Sequence, residues 1–370
     1  MGDVLMVANY EPDVGYAWNF IQQFWVALAR KYPGRCHLAY PRRGTVPAVI
    51  ADADITIHWQ DMRARGSAAF MRQHGIEHVY LTDWTGINPL YALWRMAGVK
   101  DIVVHDHVPG DPPPARGWRS AVKTSLNALG VISPTQCLAV AEHVTRRHID
   151  TWRMDPRRCF TVSNGIQPFT IDASLRPVVR GELGLPADAK VFLIVGRATR
   201  YKGIDFAVRC LARLPPHVRF VHVGDGPNIE EFRELARQLD VSDRMHFLGK
   251  RNDVRRIMAG CDAALHPSRG EAMSLAILEY MCAGLPPVVP SLPSVSTAVQ
   301  HQVTGLVYPN LDLDAAVDAL RTLADDAALR ARLGSAARAK VLSSYTIEQT
   351  MRTFTESIAI PEERYCVALS

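Results

Sequence analysis

No stretch of this chain stays apolar for the roughly 18 positions that a membrane-spanning helix needs, and the opening MGDVLMVANY is apolar for too few residues to act as a secretory leader. The expectation is a cytoplasmic protein. Cysteine is sparse, and the seven positions 36, 137, 159, 210, 261, 282 and 366 form no CxxC or CxxH pair. An odd count speaks against a closed disulfide framework, so the thiols read as reduced and mostly buried. No set of Cys, His and carboxylates recurs at metal-ligand spacing either, so no structural zinc is expected and no metal is assigned to a site. Long internal repeats, low-complexity tracts and dense basic patches are also missing, which speaks against solenoids, disorder and nucleic-acid binding.

What is present is the composition of an ordinary folded protein, 48% apolar and 21% charged. At 370 residues the chain is too long for one core and suits two domains with a cleft between them. In residues 1–180, 20 lysines and arginines face 15 acids, and in 181–370 the two signs balance at 22 each, so the whole excess of +5 lies in the first half. A modest excess confined to one domain suits an anionic acceptor or membrane surface.

Patterning gives an α/β reading with two tandem, doubly wound Rossmann-like halves. In the first, strands are expected at 4–8, 36–40, 55–58, 78–82, 102–105, 130–133 and 159–163, with a loop through Gly15 and a helix from about Trp18 to Lys31. The second half is expected to place strands at 191–195, 219–223, 245–248, 263–266, 287–289 and 306–308. The domain boundaries drawn from this are 1–170, a polar linker 171–189, 190–346, and a C-terminal helix 347–370 that packs back on the first domain.

In an open parallel sheet, ligands bind beyond the carboxyl ends of the strands. There VGRATRYKG sets Gly196, Arg197 and Lys202 on one strand-end loop, where two cations five apart suit a pyrophosphate or stand as solvated surface charges. VGDGP offers Gly224 and Asp225, which fit close ligand approach or an ordinary turn. EAMSLAILE holds Glu271 in the loop before a helix with Ser274 at its N-cap, and Glu279 in that helix's second turn. The amides around Ala272, Met273, Ser274 and Leu275 would form an anion site, flanked by carboxylates suited to sugar and ribose hydroxyls. A nucleotide sugar has that layout. For Glu279 the bland reading is a partly buried helix residue paired with an arginine.

VGRATRYKG, VGDGP, FLGKRNDV, HPSRGEAMSLAILEYMCAGLPPVV and TGLVYP resemble, in order and spacing, the donor-binding half of the retaining glycosyltransferases of family 4, which have the GT-B fold. VISPTQ and VSNGI match the end of that family's first domain, and the resemblance covers roughly residues 100–350. It implies that Arg197 and Lys202 hold the donor diphosphate and Glu271 contacts the transferred sugar. It further implies that Glu279 binds the ribose, that Ala272 to Leu275 take the distal phosphate, and that the segment around Lys250 lies against the base. It implies metal-independent transfer from a nucleotide-diphosphate sugar, UDP- or GDP-linked, to a glycan or glycolipid hydroxyl, in cell-surface polysaccharide or glycoconjugate synthesis. No cofactor is implied beyond this co-substrate. Two positions depart from the family: Ala272 and Ser274 stand where glycines are common, and its paired glycines after the first strand are reduced to Gly15.

In the first half, VVHDHVPGD puts His105 and His107 where the resemblance implies a histidine near the sugar, with His107 slightly favoured. ARGWRSAVKTSLNAL then sets Arg116, Trp118, Arg119 and Lys123 beside an apolar stripe of Val122, Leu126 and Leu129. Such a segment is either the core face of a surface helix or a peripheral contact with an anionic membrane at the inner face. The competing functional readings are a GT-B nucleotide-sugar epimerase and a noncatalytic nucleotide-sugar-binding subunit.

Overall fold

The computed structural model describes residues 2–12, 16–64, 66–110 and 116–358. These divide into two compact units, the first running to Ser163 and resuming at Glu348, the second spanning Asn164–Ile347. Gly15 lies outside the described residues.

The first unit is built on seven parallel strands: β1 (Asp3–Val7), β2 (Cys36–Tyr40), β3 (Thr56–Trp59), β4 (Ile76–Thr82), β5 (Asp101–Asp106), β6 (Gln136–Ala139) and β7 (Cys159–Thr161). Their order is β3-β2-β1-β4-β5-β6-β7. The central strands read as apolar runs because both faces are covered. On one face, Ile21, Phe24, Trp25 and Leu28 recur at helical spacing along Tyr16–Lys31 and pack with Met6, Leu38 and Tyr40. Phe354, from the helix Ile347–Ser357, completes this cluster with its ring 4.9 Å from that of Phe24. Thr350 in the same helix donates to the Ser163 carbonyl at 2.9 Å.

One strand differs from expectation. Residues 130–133 are an irregular bend, and the sixth strand is Gln136–Ala139, wholly buried between β5 and β7. The cause is helix capping: Gly130, at φ 68°, ends the helix Gly117–Leu129 in the left-handed region and donates its N–H to Asn127. The Ile132 carbonyl is then taken by the Asn88 amide at 2.8 Å, outside any ladder.

The second unit has six parallel strands, β8 (Lys190–Val195), β9 (Val218–Val223), β10 (Met245–Phe247), β11 (Ala263–Leu265), β12 (Pro287–Pro290) and β13 (Leu306–Tyr308), in the order β10-β9-β8-β11-β12-β13. One core layer joins Phe192, Phe220 and Leu265 to Ile204, Leu211, Val317 and Leu320 of the covering helices. Asp312 and Asp326 start the helices Leu313–Asp325 and Ala327–Ser344 by accepting first-turn amides at 3.0 and 2.8 Å. Residues 171–189, expected as a linker, carry a helix, Arg176–Glu182, that is tied to this unit. Its buried Arg180 pairs with Asp262 at 2.8 Å, and the same carboxylate oxygen accepts the Val191 amide of β8. Among the described residues no helix is long and apolar enough to cross a membrane.

Candidate functional site

In the second sheet the chain starts at β8, builds β9 and β10 on one side, then returns to place β11 on the other. β8 and β11 therefore flank a topological switch point, where loops leave in opposite directions and a crevice opens at the carboxyl ends. Both halves of the expected donor site come from these two strands. Lys202 arrives on the loop after β8, Glu271 on the loop after β11, and the lysine Nζ donates to Glu271 Oε1 at 2.5 Å.

A third residue completes the cluster. His266, immediately after β11, has Nε2 2.9 Å from the same Glu271 oxygen and 3.3 Å from Ser274 Oγ. An ionised carboxylate only accepts, so the proton is assigned to Nε2. Burial pushes the His266 pKa down, and this outweighs the pull of Glu271, so the ring is neutral near pH 7. Burial acts upward on the Glu271 carboxyl, but the His266 hydrogen bond and the Lys202 charge together hold it at about 2. The result is a desolvated carboxylate of fixed orientation, 8% exposed, beside a lysine whose other two N–H donors have no hydrogen-bonding side chain among the described residues. Arg197, on the same loop, is exposed.

The loops that carry these groups are fixed by backbone contacts. Gly196 donates to the Val223 carbonyl at 3.0 Å, Ala198 to Asp225 at 3.1 Å, and Gly224 to Gly249 at 2.9 Å, joining the ends of β8, β9 and β10. Gly224 sits at φ 145°, and a Cβ there would lie 1.9 Å from the Gly196 carbonyl oxygen. Gly196 itself is different, since its nearest neighbour would be the Lys202 stem at an ordinary 3.7 Å. Gly224→Ala should therefore cost the second unit about 2 kcal/mol or more in chemical denaturation, while Gly196→Ala should be close to neutral. If Gly196→Ala alone loses nucleotide affinity, that loss reports close ligand approach to this backbone. Asp225 is exposed and accepts the Gly226 amide at 2.8 Å, and the N-cap position of the next helix is Asn228, whose side chain makes no cap bond. Lys250 is exposed directly after Gly249, at the rim of the same loop set.

Ser274 occupies the N-cap position of the helix Leu275–Cys282, in extended backbone, but its side chain makes no cap bond and turns to His266 instead. The first-turn amides thus have no cap from Ser274. Ala272 and Met273 are buried, and the loop is held by Asn164, whose Nδ2 donates to the Met273 carbonyl at 3.0 Å. Glu279 is 8% exposed in the second turn. His266 and Asn164 lie within the HPSRGEAMSLAILEYMCAGLPPVV and VSNGI motifs, but only the folded loop reveals that they position Glu271 and Met273.

In the first unit the two histidines are not equivalent. His105, on β5, is fully buried; the Tyr80 hydroxyl lies 2.6 Å from its Nδ1, and burial drives its pKa far down. His107 retains 9% side-chain exposure, its amide donates to Asp83 Oδ1 at 2.7 Å, and its ring lies 4.2 Å from that of His105. Between them Asp106 is a clamp. Its buried carboxylate takes Arg147 at 2.8 Å, His148 at 2.9 Å and the Val108 amide at 2.9 Å, which fixes the loop that follows.

Residues 176–340 match the family described as glycosyl transferases group 1. A D-inositol 3-phosphate glycosyltransferase of Stackebrandtia nassauensis is 30% identical over 228 residues, covering 57% of this chain and 51% of that protein, so the chain spans about half the length of this curated relative. Among solved structures, Anabaena HepE in complex with UDP and glucose is similar with a TM-score of 0.77 at 19% identity, over 96% of this chain and 99% of HepE. WaaG, a glycosyltransferase involved in lipopolysaccharide biosynthesis, is similar with a TM-score of 0.71 at 16% identity, over 96% and 100%. These likenesses, with the seven- and six-stranded parallel sheets, show the GT-B fold.

Proposed function

We propose that this protein is a retaining, metal-independent glycosyltransferase, a reading supported by the match of residues 176–340 to the glycosyl transferases group 1 family. It would move a sugar from a nucleotide-diphosphate sugar, UDP- or GDP-linked, to a hydroxyl of a glycan or glycolipid. The observation that carries the reading is the Lys202–Glu271–His266 cluster at the switch point of the second sheet.

Each group has a role in that reaction. The glycosidic carbon–oxygen bond to the donor diphosphate breaks, and negative charge develops on the departing phosphate oxygen. Lys202 and Arg197 offset that charge, with the amides of Ala272 to Leu275 on the distal phosphate, and preorganised cations of this kind supply the electrostatic stabilisation that a divalent ion gives elsewhere. Glu271, held as an anion, accepts from a sugar hydroxyl and fixes the sugar's position, while Glu279 accepts from the ribose hydroxyls. Of the two histidines the proposal gives the sugar-hydroxyl role to His107, because His105 is fully enclosed.

The acceptor is proposed to be presented at an anionic membrane surface. The helix Gly117–Leu129 supports this: Trp118 is 73% exposed, Leu129 70% and Val122 46%, with Arg116 and Arg119 exposed beside them.

A thermal-shift series with UDP, GDP and ADP tests the donor site. UDP goes first because the HepE crystals hold it. One nucleotide should raise the unfolding temperature, corresponding to about 2.7 kcal/mol at 100 times its dissociation constant. No response to any of the three removes the donor-site assignment.

A further inference from the structure

Three histidines far apart in sequence meet at one edge of the first unit. His37 stands on β2, His58 on the neighbouring edge strand β3, and His74 caps the helix Ser67–Gln73 that leads into β4. One ring nitrogen from each lies within 4.8 Å of the others, and all three residues are half-buried. His37 Nδ1 is 2.9 Å from His58 Nε2. Two imidazoles bound to one tetrahedral ion at about 2.05 Å hold their nitrogens roughly 3.3 Å apart, so this pair is already near that spacing.

The surroundings fit an ion as well. The other nitrogen of His37, Nε2, lies 3.2 Å from Asp3 Oδ2, and Asp3 is itself anchored by Arg35 at 3.6 Å. A carboxylate behind a histidine fixes its tautomer and aims the opposite nitrogen, which is the arrangement found behind metal-ligating histidines. Phe70 closes the apolar side, its ring 4.9 Å from His58 and 4.4 Å from His74. The ordinary alternative for a histidine cluster is a single imidazole–imidazole hydrogen bond, and that explains the His37–His58 pair. It does not explain a third imidazole turned to the same point or the carboxylate behind the first.

We propose that His37, His58 and His74 form a binding site for one divalent transition metal of the zinc class, with Asp3 orienting His37. Imidazole donors favour zinc, copper and nickel over magnesium or calcium, and three protein ligands leave one position for water. Asp3 begins β1, His37 is the second residue of β2, His58 is the third of β3 and His74 precedes β4, so the site lies at the β3–β2 edge of the sheet. His107 follows the carboxyl end of β5. The ion would therefore join β2, β3 and the approach to β4 at the sheet edge, with β1 and β4 between it and the strand that carries the loop of His107, a structural placement. The site depends on nothing assumed about donor binding.

The test uses untagged full-length protein stripped by a chelator, dialysed against zinc alone, and assayed by atomic emission. Wild-type protein should retain one zinc per chain, and magnesium at the same concentration should not displace it. His58→Ala and His74→Ala should each retain less than about a tenth as much, and Asp3→Asn should weaken binding about 10- to 100-fold. His74 is half-buried at a helix end, so His74→Ala keeps the test open if His58→Ala fails to fold. Cobalt substitution should give the visible absorption of a tetrahedral site in wild-type protein and lose it in His74→Ala. Retention of less than one zinc in wild-type protein, or full retention in a folded His74→Ala, overturns the proposal.

Discussion

Lys202→Ala is expected to lower the transfer rate about 100- to 1,000-fold, while the second unit stays folded. Among the described residues, Lys202 and His266 are the two side chains that hydrogen-bond Glu271 Oε1, and the lysine sits on the loop that ends β8 beside the exposed Arg197. On the proposed donor site, removing it would take one of two cations from the departing diphosphate, where charge develops in the transition state, so kcat should fall more than KM rises. The variant also leaves a desolvated carboxylate with one neutral partner. Breaking a fully buried pair costs about 3–5 kcal/mol, but a quarter of the Lys202 side chain is exposed, so solvent should reduce the cost to about 1–2 kcal/mol. Lys202→Arg keeps the charge on a bulkier, planar head and should recover part of the stability and little of the rate. Steady-state kinetics with denaturant unfolding separate the two effects. A folded Lys202→Ala enzyme within tenfold of the wild-type rate would show that Lys202 does not serve the leaving group.

How much of this was legible beforehand follows from the range of the interactions. Strand runs such as VFLIV and RFVHV announce themselves because both faces of a parallel strand are buried, and loops ending in glycine follow from local backbone demands. The exchange of 130–133 for Gln136–Ala139 was not readable, because GVIS and QCLA are both short apolar runs and the choice was made by where the preceding helix found its cap. The linker was misleading for a related reason. Its polar, proline-containing composition looks solvated, yet Arg180 is buried on Asp262, a partner 82 residues away. At the candidate site, motif spacing picks out Lys202, Glu271 and Ser274, whereas His266 reads as the end of a strand. Nothing local distinguishes a histidine that orients a carboxylate from one that fills a sheet edge. The His37, His58 and His74 cluster is the extreme case, because ligands from two strands and a helix end have no spacing to recognise.

Glu271→Ala should abolish measurable transfer, and Glu271→Gln tests whether the loss is chemical or structural. Glutamine keeps the shape and still offers an oxygen to the His266 Nε2–H, but it removes the anion opposite Lys202. The glutamate carboxyl ordinarily titrates near 4.5; here burial alone would raise it, while His266 and Lys202 bring it to about 2. A carboxyl depressed in the folded state contributes stability that is fully present above pH 4.5 and is lost as pH falls toward 2. Glu271→Gln should therefore be less stable than wild type at pH 7, by no more than about 3 kcal/mol, and the gap should narrow steadily below pH 4.5. Transfer behaves differently: if the carboxylate binds a sugar hydroxyl, the activity deficit of Glu271→Gln stays constant across the pH range in which wild type is active and ionised at this position. Urea unfolding at several pH values, run beside pH–rate profiles, distinguishes the two. An activity deficit that tracks the stability gap would make Glu271 a residue that holds the loop together, and one that stays fixed while the gap closes would place it against the substrate.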